Sequence, residues 1–227
     1  MESYRTEEEQ VEALKNWWDE NGRSTVVAIA VALGLGFGWQ GWKSHQSEQV
    51  EAASIVYQGL SEALNAYEND QSDDIKATAI HLAGELKTEY SGSTYAHYAA
   101  LSLAKLAVEN QDLETAQAEL RWVLSNSPSV DIELISQQRL ARVLAAQGDS
   151  EQALMILNST DAGKYASGYA RAKGDIYLSL GENEKALEAY QQAKTLDGGS
   201  GGASQRYLEM KIKHLSPELA TVIGEEE

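Results

Sequence analysis

An all-α chain is what this sequence predicts, with one membrane-spanning helix ahead of a solenoid of stacked helix pairs. Three observations predict it. Residues 24–42 carry no charge. The remainder is dominated by alanine, leucine, glutamate and glutamine, with only Pro128 and Pro217 to interrupt helices. Small residues also recur at intervals of 33 and 37 residues from Ala104 onward.

The apolar run reads STVVAIAVALGLGFGWQGW, from Ser24 to Trp42. As a helix it spans about 28 Å, close to the hydrocarbon thickness of a bilayer. Arg23 and Lys43 close its ends, and Trp17, Trp18, Trp39 and Trp42 flank it as an interfacial aromatic belt. A cleaved signal peptide would begin with a basic stretch. Residues 1–23 instead hold seven acidic residues against Arg5, Lys15 and Arg23, and tryptophans stand where a cleavage site would lie. The expectation is an uncleaved single-pass anchor behind an acidic tail, residues 1–23. Orientation follows from Lys and Arg near the span. Three precede it, whereas only Lys43 follows before the gap to Lys76. That asymmetry predicts a cytoplasmic N-terminus.

The formal charge is −17. Such a surface repels nucleic-acid phosphates, so no nucleic-acid function is expected. The chain has no cysteine, which removes disulfides, thiolate chemistry and cysteine metal sites without deciding the compartment.

After the anchor, Val50, Ala53, Val56, Tyr57, Leu60, Leu64 and Tyr67 recur at three- and four-residue spacing, which predicts one long helix leaving the bilayer. A break is expected at residues 69–73. Helix resumes through Tyr90 and ends at Ser91-Gly92-Ser93. The segment GYARAKGDIYLSLGENEKALEAYQQAKTLD then places Gly174, Tyr177, Gly181, Ala186, Tyr190 and Ala193 at tetratricopeptide-repeat spacing. Gly174 lets two helices approach, and Gly181 permits a left-handed turn. Ala141, Leu144, Gly148, Ala153 and Leu157 repeat the frame 33 residues earlier. Ala104, Ala107, Ala116, Leu120 and Pro128 repeat it another 37 residues earlier, with Gln111 in place of the turn glycine. The pair around residues 48–90 fits loosely, as an atypical capping unit. A Gly-Gly-Ser-Gly-Gly loop follows Asp197. Ser204 to Leu215 is expected to close the solenoid with Tyr207, Leu208, Met210, Lys211 and Leu215. The repeat domain is expected over residues 43–215 and an acidic tail over 216–227.

This order of parts, with the closing helix RYLEMKIKHL, resembles the YfgM family, ancillary subunits of the bacterial SecYEG translocon in the inner membrane. The resemblance covers essentially the whole chain. It implies a periplasmic repeat domain working beside PpiD, a membrane-anchored chaperone, to help exported proteins leave the translocon. It further implies a link to envelope stress through restraint of the response regulator RcsB.

No catalytic, cofactor or metal site is expected. His45, His81, His97 and His214 make no helical metal pair, and there is no phosphate loop or nucleophile elbow. Two docking surfaces are expected. In the membrane, Ala30, Gly34 and Gly38 share one helix face, and small residues let helix backbones approach closely in lipid. On the inner face of the solenoid, the first helix of each pair contributes Tyr98, Leu101, Lys105 and Val108, then Ile135, Gln138 and Arg142, then Arg171, Asp175 and Leu178. Apolar residues with Lys105, Arg142 and Arg171 suit an extended peptide segment. The residues leave two other readings open: a scaffold that assembles membrane complexes without binding clients, and an adaptor of inverted topology facing the cytoplasm.

Overall fold

The computed structural model describes residues 7–198 and 202–216, and within them it is helical throughout, with no strand. The acidic tail expected over 216–227 lies outside the described residues from Pro217 on, as do Gly199, Ser200 and Gly201 of the glycine loop. The chain divides into two compact units, Met1–Ala52 and Ala53–Glu227.

Helix α1 (Glu7–Asn69) supplies all of the first unit that is described and the start of the second. The described part of the acidic segment, from Glu7, is helical and is not a separate element. Helix also runs through Gly34, Gly36, Gly38 and Gly41, although each glycine costs a helix interior about 1 kcal/mol relative to alanine. Among the described residues, α1 is the helix long and apolar enough to cross a membrane by length and composition, and its apolar window is unburied.

The second unit stacks helix on helix. After the end of α1 come α2 (Asp73–Glu89), α3 (Thr94–Glu109), α4 (Leu113–Ser125), α5 (Val130–Ala146), α6 (Ser150–Ser159), a 3₁₀ turn at Gly163–Tyr165, α7 (Ala166–Ser179), α8 (Asn183–Leu196) and α9 (Ala203–Leu215). Helices α3 and α4, α5 and α6, and α7 and α8 pack as pairs. The repeat positions form their seams. Ala104, Leu120, Ala141, Leu144, Ala153, Leu157, Ala186, Tyr190 and Ala193 are all buried. The loosely fitting first repeat is a helix pair too, with Ala53 and Leu60 of α1 in one apolar cluster with Ala79, Ala83 and Leu86 of α2. At the far end, Leu208 is buried with Ile212 and Leu215 beside it, whereas Met210 is exposed. Residues 208, 212 and 215 share a helical face and residue 210 points away from it. Met210 therefore does not close the solenoid as expected, and Ile212 does.

The turns inside the pairs share one construction. The α3–α4 turn bonds Gln111 N–H to the Val108 carbonyl at 3.0 Å and Asp112 N–H to the Ala107 carbonyl at 2.9 Å, a Schellman closure. Asp112 then caps α4, accepting from Thr115 N–H at 3.0 Å. Gly148 with Asp149, and Gly181 with Glu182, repeat the closure. It demands a left-handed residue, and φ is +93° at Gly148, +75° at Gly181 and +62° at Gln111. A side chain in that region is strained by about 1 kcal/mol. Gln111→Gly is therefore expected to raise stability by roughly 1 kcal/mol, read as a higher midpoint in urea unfolding monitored by helicity.

Candidate functional site

The inner face of the second unit is built from α3, α5, α7 and α9. Corresponding positions of neighbouring helices meet there, and their charges run carboxylate, cation, cation, carboxylate along the stack. Glu68 accepts from Lys105 at 3.0 Å, and Arg142 donates to Asp175 at 3.1 Å. Between these pairs Lys105 and Arg142 share no carboxylate, and Glu109 stands beside them, 3.6 Å from Lys105. A cleft of about 340 Å³ opens at this step, lined by Ala104, Lys105, Val108, Glu109, Leu113, Leu120, Arg139, Arg142, Val143 and Ala146. Its floor is apolar. Beside it, a second hollow of about 220 Å³ shares Lys105 and Glu109 and continues to Tyr57, Leu64 and Tyr67. The rings of Tyr57, Tyr95 and Tyr98 cluster nearby, at 5.3 and 6.0 Å from Tyr57 to the other two.

Not all of the expected groove is open. Lys105, Val108 and Arg142 line the cleft, and Tyr98 is exposed. Leu101 is 7% exposed and belongs to the core, because α4 and α5 close over that side of α3. Ile135 and Gln138 are half-buried, and the Gln138 amide covers Gly168 of α7. The α7 residues are taken up by α9. Arg171 donates to Ser204 at 2.8 Å, and Leu178 packs in the cluster of Tyr190 and Leu208. Asp175 accepts on one oxygen from both Tyr190 and Tyr207, at 2.8 Å each, and on the other from Arg142. Burial first, and then the bond to Asp175, push the phenols of Tyr190 and Tyr207 above their ordinary value, so both stay protonated donors. Arg171, Asp175 and Leu178 therefore hold the closing helix. A terminal repeat turns the positions that line a groove elsewhere into contacts with its cap.

Sequence reasoning missed Arg139, Leu113, Val143 and Ala146. Residues 139, 143 and 146 fall at i, i+4 and i+7, one stripe of α5, so periodicity carried the signal. His97 is structural. It is buried against Trp122, and its Nε2 donates to the Asn126 carbonyl at 2.9 Å. Among the described residues, no group of three or more His, Cys, Asp and Glu side chains could hold a metal ion.

In the first unit, Ala30, Gly34 and Gly38 are exposed, and a Cβ at Gly34 or Gly38 would meet nothing within 4 Å.

Residues 15–217 match the tetratricopeptide repeat-like domain family. The chain is 34% identical over 214 residues to an ancillary SecYEG translocon subunit of Aggregatibacter actinomycetemcomitans, covering 94% of this chain and 100% of the relative. The chain belongs to the ancillary SecYEG translocon subunit family. Proteins of that name from Haemophilus influenzae and Escherichia coli K12 are each 32% identical, over 94% and 95% of this chain and 100% of the relative. No solved structure matches the chain. The family match runs from within the acidic segment to just past α9, so it takes in both the Ala30–Gly34–Gly38 face and the cleft between α3 and α5.

Proposed function

We propose that this chain is an ancillary subunit of the SecYEG translocon that holds exported segments as they emerge and hands them on, together with a membrane-anchored chaperone of the PpiD kind. The full-length likeness to proteins of that name carries the reading. In it, residues 24–42 anchor the chain in the inner membrane with the N-terminus cytoplasmic, and residues 43–215 form the periplasmic repeat domain. The cleft between α3 and α5 is the client-binding surface, and the Ala30–Gly34–Gly38 face packs on membrane partners. On this topology only residues 1–23 could meet RcsB in the cytoplasm.

One observation favours the scaffold alternative. Lys105, Arg142 and Arg171, the cations expected to attract clients, each already hold a partner within the chain. A photocrosslinking residue at Val108 separates the readings. Trapping of a translocation-arrested exported chain in cells supports client binding, and trapping of none, with translocon components still co-purifying, supports the scaffold. Protease added to spheroplasts should digest the repeat domain, and digestion only after the inner membrane is opened would reverse the topology.

Gly34→Leu with Gly38→Leu tests the membrane face. Leucine is more apolar than glycine and meets no obstacle within the chain, so insertion should survive while close helix approach is blocked. Co-purification of translocon subunits should fall several-fold. Unchanged recovery would mean that the glycines are incidental.

A further inference from the structure

Resting on the reading of the α3–α5 cleft as the client site, we propose that it selects acidic segments: one bulky apolar side chain enters the cleft, and a carboxylate beside it is held by Arg139. The ladder joins cation to carboxylate at Glu68–Lys105 and at Arg142–Asp175, and the cleft opens between these pairs with Lys105 and Arg142 both in its lining. Arg139 adds a third cation to the same rim. Lys105 is held by Glu68 and Glu109, and Arg142 by Asp175. Arg139 has no hydrogen-bond or ion-pair partner among the described residues. Its fork of donors is therefore available for the bidentate bond that a carboxylate accepts. The floor of Ala104, Val108, Leu113, Leu120, Val143 and Ala146 offers no hydrogen bond from its side chains, so it suits a Leu or Phe side chain and not a polar one.

An arginine without a partner beside an apolar cleft is conspicuous in a chain of formal charge −17. Long-range repulsion should slow the approach of acidic segments in general. Capture of an acidic segment here must come from short-range contacts, and Arg139 supplies one.

The test uses the full chain in a neutral detergent and fluorescein-labelled peptides, read by anisotropy. One peptide carries a Leu-Phe pair flanked by glutamates, one replaces the glutamates with lysines, and one replaces Leu-Phe with Ala-Ala. The first should bind at least tenfold tighter than either of the others. Arg139→Gln should reduce that preference to about threefold or less while leaving the melting temperature unchanged, because Arg139 has no partner to lose. Val108→Trp, at an exposed position on the cleft wall, should abolish binding of all three by filling the space.

If Val108→Trp blocks binding but Arg139→Gln leaves the preference intact, the cleft is a client site and Arg139 is not its reader. If neither variant changes binding, the client-site reading fails with it. Displacement of the acidic peptide by oleate, with Arg139 required for oleate binding, would overturn the peptide in favour of an anionic amphiphile.

Discussion

Gly174→Ala is expected to destabilise the second unit by about 2–3 kcal/mol, despite alanine being the better helix former. A Cβ on Gly174 would lie 2.6 Å from Cδ1 and Cε1 of Tyr190, closer than any carbon contact allows. The ring cannot retreat. Tyr190 is fully buried, and its hydroxyl is tied to Asp175, which also holds Tyr207 and Arg142. Urea unfolding of the full chain in mild detergent should show the lower midpoint. Gly84→Ala is the control. Its Cβ would meet nothing within 4 Å, so it should be neutral or stabilising by up to about 1 kcal/mol. If the clash is the cause, Gly174→Ala should cost less in a Tyr190→Leu background than alone, and equal costs in both would locate the damage elsewhere.

Lys87→Met should cost a similar amount, about 2–3 kcal/mol, through electrostatics. Lys87 of α2 donates to both carboxylate oxygens of Glu119 on α4, at 2.7 and 2.6 Å, with the two side chains only 18% and 14% exposed. The ammonium also lies 5.2 Å from the centre of the Trp122 ring. Removing it leaves a nearly buried carboxylate without its counter-charge, which is the expensive half of breaking such a pair. Lys87→Met with Glu119→Met removes both charges and should recover most of the loss. A double variant as unstable as Lys87→Met alone would show that the pair does more than cancel charge. The exposed pairs Lys105–Glu68 and Lys164–Asp131 should behave differently, with deletion of either leaving the urea midpoint nearly unchanged.

What sequence could and could not foresee divides along physical lines. Local rules were legible. The left-handed turn positions follow from Gly148 and Gly181, and their spacing carried the inference to Gln111, where glutamine does the same job under strain. The buried seams follow from alanines that recur 33 and 37 residues apart. The groove was half legible, because register names the residues on a face but not what lies across from them. Nothing in the α7 sequence says that Arg171, Asp175 and Leu178 meet a capping helix, since that contact spans the glycine loop after Asp197. Nor does the sequence of α3 alone show that Lys105 ends one charge pair and begins a gap. A cleft is a property of two neighbouring helices, and Arg139 gains its meaning only when the end of α3 is placed beside it.

The charge ladder of Glu68, Lys105, Arg142 and Asp175 also bears on how such a chain can change over generations. Solenoids lengthen readily when a helix pair is duplicated, because each pair meets only its neighbours. Here the pairs are not interchangeable. A second copy of the α3–α4 pair would bring lysine against lysine at the inner face, and a second α7–α8 pair would bring aspartate against aspartate. Each duplication would thus add a like-charge step of the kind that Lys105 and Arg142 already make, a small cost at exposed positions. The order of the pairs is marked in their charges, and it weighs slightly against lengthening the array without forbidding it.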